Sequence, residues 1–96
     1  LYTMTKSGLV GLTKTIALEG AAYNIIANSI SPGFTLTELT KKSLSNKEIE
    51  ELSNQIPLRR FAEPKEISKL VMFLSSSSNT YITGQNIIID GGFTIQ

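Results

Sequence analysis

The sequence predicts an α/β fold, the closing part of a domain in which helices and strands alternate. Three observations carry this. Apolar residues recur at helical spacing near the start of the chain and again over residues 64–75. The run Ile87-Ile88-Ile89 is β-branched with no polar alternate, as in a strand buried on both faces. Pro32-Gly33 and Gly91-Gly92 punctuate the ends of the two strand-like segments. Ninety-six residues, 41% apolar and 18% charged, have globular composition and leave room for one domain at most.

From Leu1 to about Tyr23, the residues Leu9, Leu12, Ile16 and Ala17 form a helical stripe that Leu18, Ala21 and Ala22 broaden. Gly8 and Gly11 each cost roughly 1 kcal/mol of helix propensity against Ala, and with Ser7 they make a shallow face open to close backbone approach. Ile25–Ile30 predicts a short strand, and the Thr, Lys and Ser composition of residues 34–45 predicts a loop. Ser45-Asn46-Lys47-Glu48 fits a capping box, so a short helix carrying Ile49 and Leu52 follows and ends before Pro57. Leu58–Glu63 is a connector with adjacent Arg59 and Arg60. Pro64 suits a first helical position, and Ile67, Leu70, Val71 and Leu74 continue that helix to about Ser75. Ser75–Asn79 breaks it, Asn86–Ile89 reads as a strand in a sheet covered on both sides, and Asp90-Gly91-Gly92 reads as a structural turn. Two strands alone leave long edges unpaired, so the remaining strands are expected upstream of Leu1. An opening on Leu1-Tyr2, in helical pattern with no lead-in, points to the same expectation of a fragment.

Composition removes several chemistries. Nine Lys and Arg against eight Asp and Glu give a scattered net +1, which offers no field for a nucleic-acid backbone. With no Cys and no His there is no disulfide framework, thiolate metal site, Cys nucleophile or imidazole base, and no metal centre is predicted. No apolar run approaches a membrane span and no signal-peptide pattern is present, so no membrane partner and a cytoplasmic location are expected.

Tyr2 and Lys6 are four apart on the first helix and so share a face. A phenol near its ordinary pKa of about 10 is a poor proton carrier at neutral pH, and a neighbouring ammonium favours its phenolate. The pair is a proton-transfer unit suited to an alcohol or carbonyl oxygen, although such a spacing also occurs by chance on solvated helices.

The surroundings of that pair carry more information than the pair. Tyr2-Thr-Met-Thr-Lys6-Ser-Gly8 resembles the Tyr-x-x-x-Lys signature of the short-chain dehydrogenases and reductases. Asn28-Ser-Ile-Ser-Pro32-Gly33-Phe34 resembles that family's strand ending in Pro-Gly. Ile56-Pro-Leu-Arg-Arg60-Phe61, Pro64-Lys-Glu-Ile67, Phe73-Leu-Ser-Ser76, Tyr81-Ile-Thr-Gly-Gln85 and Asp90-Gly-Gly92 follow in the family's order, so the resemblance covers nearly the whole chain. It is similar to both 3-oxoacyl-carrier-protein reductase-like and sugar dehydrogenase-like members.

The resemblance implies the C-terminal portion of a Rossmann-type doubly wound parallel sheet, with residues 1–96 as one segment of a single NAD(P)-binding domain whose N-terminal half lies elsewhere. It implies hydride transfer between NAD or NADP and a carbonyl or secondary alcohol, with Tyr2 as general acid/base and Lys6 holding the nicotinamide ribose and lowering the tyrosine pKa. The resemblance implies that Tyr2 and Lys6 also belong to the cofactor-binding residues, and Pro32, Gly33, Phe34, Thr35 and Thr37 match the family's cofactor-binding loop. Backbone groups at Thr35 would hold the nicotinamide carboxamide, and Thr37 would contact the cofactor. Thr35 departs from the family's usual branched aliphatic, a change that a backbone contact survives and an apolar contact does not. Leu36, Leu39, Leu44, Ile49 and Leu52 fall in the segment implied to shape a small-molecule substrate site, and could equally pack against the domain.

No Gly-x-x-x-Gly-x-Gly phosphate turn occurs in the sequence, so the chain alone is expected to be inactive. The complete enzyme would be a homo-oligomer, a dimer or a tetramer. The alternative is a non-catalytic assembly module or inactive family remnant, suggested by the small-residue face at Ser7, Gly8 and Gly11. Among the remaining polar residues, Asn28 is expected to pair with backbone, Glu66 to be a helix-start charge, and Arg59 and Arg60 to be solvated or to lie at an interface.

Overall fold

The computed structural model describes residues 2–96, with side chains described from Lys6 onward. The elements are α1 (Tyr2–Gly20), a 3-10 turn (Ala21–Tyr23), β1 (Ser29–Pro32), α2 (Glu38–Ser43), α3 (Asn46–Ser53), α4 (Pro64–Ser75), β2 (Asn86–Ile89) and a second 3-10 turn (Phe93–Ile95). The predicted α/β class holds, and α1, α3, α4 and β2 fall where periodicity and caps place them. The strands form a two-stranded sheet. The chain divides into two compact units, Leu1–Ile30 with Phe73–Ile87, and Ser31–Met72 with Ile88–Gln96.

In the first unit the Ser29 N–H donates to the Gln85 carbonyl at 2.9 Å, where β1 begins beside the approach to β2. The strand starts later than the apolar run Ile25–Ile30 suggests. Ile25 spends its amide on the Gly20 carbonyl at the end of α1 (3.0 Å), and the Ala27 amide goes to the Thr83 hydroxyl (3.0 Å). Asn28 donates to the Ile82 carbonyl (2.9 Å) and accepts from the Gln85 amide (3.1 Å), so it is a backbone partner, as its sequence position suggests. Asn79, buried at the end of the serine run, donates to the carbonyls of Leu74 (3.0 Å) and Ile82 (3.1 Å) and accepts from the Ile82 amide (2.9 Å). Donor and acceptor sides of both amides are thereby engaged, as burial demands.

The face that α1 buries is not the leucine stripe. Thr13, Ala17 and Gly20 are buried, whereas Leu9, Leu12 and Ile16 remain about half exposed. Those three buried positions also keep helical spacing, and their small size is what a close neighbour requires. A Cβ at Gly84 would lie 3.4 Å from the Ala17 Cβ, an ordinary contact. A Cβ at Gly8 or Gly11 would meet nothing within 4 Å, so no described residue uses the shallow face there. The double covering expected of β2 is likewise missing among the described residues, since Ile88 is half exposed.

In the second unit the Gly33 N–H donates to the Ile89 carbonyl at 3.0 Å. From Ser29–Gln85 to this pair the two strands advance together, so they run parallel. Residues 34–45, expected as loop, contain α2. Thr37 caps it by accepting the Thr40 amide at 3.1 Å, Glu38 sits in its first turn and Lys41 and Lys42 in its last, each sign matching the helix dipole. The capping box of α3 is present in full, with the Ser45 amide bonded to the Glu48 carboxylate (2.9 Å) and the Glu48 amide to the Ser45 hydroxyl (3.1 Å). The Ser45 backbone amide, followed by its hydroxyl, holds the Glu48 carboxyl below its ordinary pKa. Ile56 and Phe61 are the buried apolar side chains of this unit.

Candidate functional site

The second unit assembles the predicted loop. At the exit of β1 the chain passes so close to β2 that a Cβ at Gly33 would lie 2.6 Å from the Asp90 Cβ and 2.9 Å from its Cα. No side chain fits there. Asp90 is itself fixed, accepting from the Gly92 amide (3.0 Å), the Thr94 amide (3.0 Å) and the Thr94 hydroxyl (2.8 Å). These bonds, the Thr94 hydroxyl foremost, keep its carboxyl below its ordinary pKa. Gly91 and Gly92 follow with φ of 66° and 93°, the left-handed backbone that glycine adopts without strain. Asp90-Gly91-Gly92 is the structural turn expected.

Beyond Gly33, the Phe34 ring stacks on Phe61 at 5.1 Å and meets the edge of Phe93 at 5.4 Å. The Ala62 amide donates to the Phe34 carbonyl and the Leu36 amide to the Ala62 carbonyl, both at 2.9 Å, making a parallel bridge between Thr35 and Ala62. In such pairing successive residues turn their backbone groups to opposite edges. With Phe34 and Leu36 facing Ala62, the Thr35 amide is directed away from it. The Thr35 carbonyl accepts the Thr37 amide at 2.9 Å, and its hydroxyl donates to the Gly33 carbonyl at 3.1 Å. Gly33, Phe34, Thr35 and Thr37 line one depression of about 350 Å³ together with Leu39, Thr40, Ser43, Leu44 and Phe61.

The structure therefore brings together four of the predicted residues, Gly33, Phe34, Thr35 and Thr37. Pro32 ends β1, exposed, and does not line the depression. Lys6 is half-buried on α1 in the first unit. Tyr2 begins α1, and its side chain lies outside the described residues. Among the described residues no group of three or more Asp, Glu, His or Cys could hold a metal ion, and no helix is long and apolar enough to cross a membrane.

Arg60 is not a merely solvated cation. Its guanidinium takes the Glu66 carboxylate two-pronged, at 2.7 Å and 3.0 Å, and donates also to the Phe61 carbonyl at 3.3 Å. Glu66 additionally accepts the Glu63 amide at 2.9 Å, so the helix-start charge expected from sequence is also half of an ion pair. Arg59 donates to the Asn54 carbonyl at 3.0 Å. Arg60, and then the Glu63 amide, lower the Glu66 pKa to about 2. A carboxylate whose pKa is depressed on folding stabilises above its ordinary value of 4.5, and that contribution is lost as pH falls toward about 2. Carboxyl NMR titration is expected to place the Glu66 midpoint near 2, and Arg60→Ala to move it toward the ordinary range. An unchanged midpoint in that variant would contradict the assignment of the ion pair.

The fold is a two-stranded parallel sheet with helices in its connection, part of an α/β architecture. The family described as enoyl-(acyl carrier protein) reductase matches residues 1–94. The chain is 43% identical over 95 residues to an NAD-dependent glycerol dehydrogenase of Listeria innocua, covering 99% of this chain and 37% of that protein. It is 45% identical over 94 residues to the 3-oxoacyl-(acyl-carrier-protein) reductase FabG of Thermotoga maritima, covering 98% of this chain and 38% of that one. A short chain dehydrogenase family protein from Francisella tularensis superposes with a TM-score of 0.88 at 36% identity, over 99% of this chain and 43% of that one. A short-chain type dehydrogenase/reductase from Mycobacterium marinum gives 0.84 at 38% identity, over 99% and 37%. The chain belongs to the short-chain dehydrogenase/reductase family, a family of oxidoreductases, and is part of a Rossmann-type fold. It spans little more than a third of the length of the curated relatives named here.

Proposed function

We propose that this chain is the C-terminal segment of an NAD(P)-dependent oxidoreductase acting on a small ketone or secondary alcohol, carrying its acid/base pair and the nicotinamide side of its cofactor site. The observation that carries this reading is the Thr35–Ala62 bridge, which fixes the loop after Pro32-Gly33 and turns the Thr35 amide outward as a ready donor. A nicotinamide carboxamide presents a carbonyl oxygen that such a donor can hold. The contact is to backbone and so survives the threonine where relatives of this type carry a branched aliphatic. The residues present therefore fit the group. Gly33 supports the fit by letting β1 close on Asp90 before the loop opens.

When bound, the cofactor supplies or accepts the hydride. Tyr2 gives the proton to the substrate oxygen in reduction and takes it in oxidation. Lys6, one helical turn on, holds the ribose hydroxyls and favours the tyrosine phenolate through its charge. Thr37 already spends its hydroxyl on the Thr40 amide and the Thr40 hydroxyl (3.0 Å), so its cofactor contact would come from the same capped position. Leu39 and Leu44, beside the loop, would meet the substrate. On the same reading the polypeptide of full family length would be a cytoplasmic homodimer or homotetramer.

Residues 1–96 alone have no glycine-rich phosphate turn and bury few apolar side chains. Titration calorimetry on this chain is expected to show no binding of NAD(H) or NADP(H) and no turnover. Micromolar affinity for either dinucleotide in the 96-residue chain would refute the division of the site.

A further inference from the structure

We propose that the Arg60–Glu66 ion pair is a positioning device that sets the Thr35 amide by holding Ala62, the residue on which that loop is hung. The inference rests on the reading of residues 33–37 as the nicotinamide loop. Its first observation is topological. Arg60 grips Glu66 with both prongs and also donates to the Phe61 carbonyl, while Glu66 accepts the Glu63 amide. Residues 60, 61, 63 and 66 are thus tied into one knot with Ala62 in its middle. Ala62 spends its own amide and carbonyl outward, on Phe34 and Leu36, at 2.9 Å each. Both flanks of Thr35 hang from that single residue.

The second observation is energetic. The side chains of Arg60 and Glu66 are 55% and 35% exposed, so solvent screens their charges and their geometry distinguishes the pair more than their attraction. A two-pronged guanidinium–carboxylate contact nevertheless fixes direction as well as distance. That directionality fixes the path of residues 60–66 and, with it, the place of Ala62. Phe34, stacked on Phe61, joins the same two segments through side chains, so the backbone bridge and the ring contact move together. Ala62 also stands beside Phe34, Arg60 and Glu66 around a small cavity of about 90 Å³, which leaves the connector space to shift when the pair is cut.

The test uses the polypeptide of full family length that carries this chain, with Arg60→Ala and Arg60→Lys, and two readouts. In Arg60→Ala, hydrogen exchange of the Leu36 amide is expected to quicken about tenfold, beyond the change at core amides that any fall in the melting midpoint brings. The KM for the nicotinamide cofactor is expected to rise about tenfold, with kcat at saturating cofactor little changed. Arg60→Lys, which keeps the charge and loses the fork, is expected to recover only part of both effects. Unchanged Leu36 exchange in Arg60→Ala overturns the proposal, whatever the cofactor does. Full recovery by Arg60→Lys also overturns it, because charge alone would then suffice. Quickened exchange in a protein whose unaltered form binds neither NAD(H) nor NADP(H) upholds the mechanical link and overturns the cofactor reading beneath it.

Discussion

Tyr2→Phe, in the polypeptide of full family length, is expected to lower kcat by about a hundred- to ten-thousandfold while leaving the fold intact. The phenyl ring keeps the shape of the side chain and loses only the hydroxyl proposed to carry the proton. Among the described residues no Asp or Glu lines the depression formed by Gly33, Phe34, Thr35 and Thr37. Lys6→Ala should act differently, weakening cofactor binding as well as slowing turnover, since on the proposed reading one side chain would hold the ribose and tune the phenol. Steady-state assay by cofactor absorbance, with cofactor binding measured separately, resolves the two patterns. A Tyr2→Phe protein that turns over at the unaltered rate would remove tyrosine from the mechanism.

Gly33→Ala is expected to give the largest structural effect of any single methyl group added to the loop. Its Cβ would stand 2.6 Å from the Asp90 Cβ and 2.9 Å from the Asp90 Cα, and the latter atom is backbone that cannot swing aside. Asp90 is further held by Gly92 and Thr94, and β1 is held there by the 3.0 Å bond from Gly33 to Ile89. Forcing these apart should cost about 1–3 kcal/mol, as overpacking does in tight interiors, and should displace the loop that begins at Phe34. Gly8→Ala and Gly11→Ala are the internal contrast, because an added Cβ there meets nothing within 4 Å and removes a helix-weakening glycine. Chemical denaturation of the three variants should show Gly33→Ala destabilised and the other two unchanged or stabilised. Equal effects at all three positions would deny the close approach at β1.

What the sequence made legible was what short-range rules govern. The stripe of α4, its Pro64 start, the Ser45–Glu48 box and the β-branched run of β2 each depend on residues a few positions apart. The start of β1 did not, because the groups that divert residues 27 and 28 from strand pairing come from Thr83, Ile82 and Gln85, far along the chain. The helix α2 is only six residues long, and its signal is a single threonine cap inside a stretch of loop-like composition. Among the described residues of this chain Thr13, Ala17 and Gly20 are the buried positions of α1, a small-residue face that hydropathy does not register.

The loop residues of the candidate site were legible through motif order, and Gly33 through Pro-Gly punctuation. Ala62 was not. Its part is played wholly by backbone, and a methyl side chain announces nothing. Arg60 and Glu66 were each noticed, yet their partnership crosses a connector into a helix start, where no i, i+4 rule applies.

On the proposed reading Tyr2, Lys6 and the loop at residues 33–37 serve a hydride exchange between a nicotinamide and a carbonyl carbon. Isotope tracing tests it most directly. The polypeptide of full family length would be incubated with NADH or NADPH deuterated at the transferring ring carbon and a panel of ketones, and the products read by mass spectrometry. Deuterium on the carbinol carbon of at least one product, lost together with turnover in Tyr2→Phe, is the predicted result. A folded protein that moves no label from either cofactor to any member of the panel would contradict it.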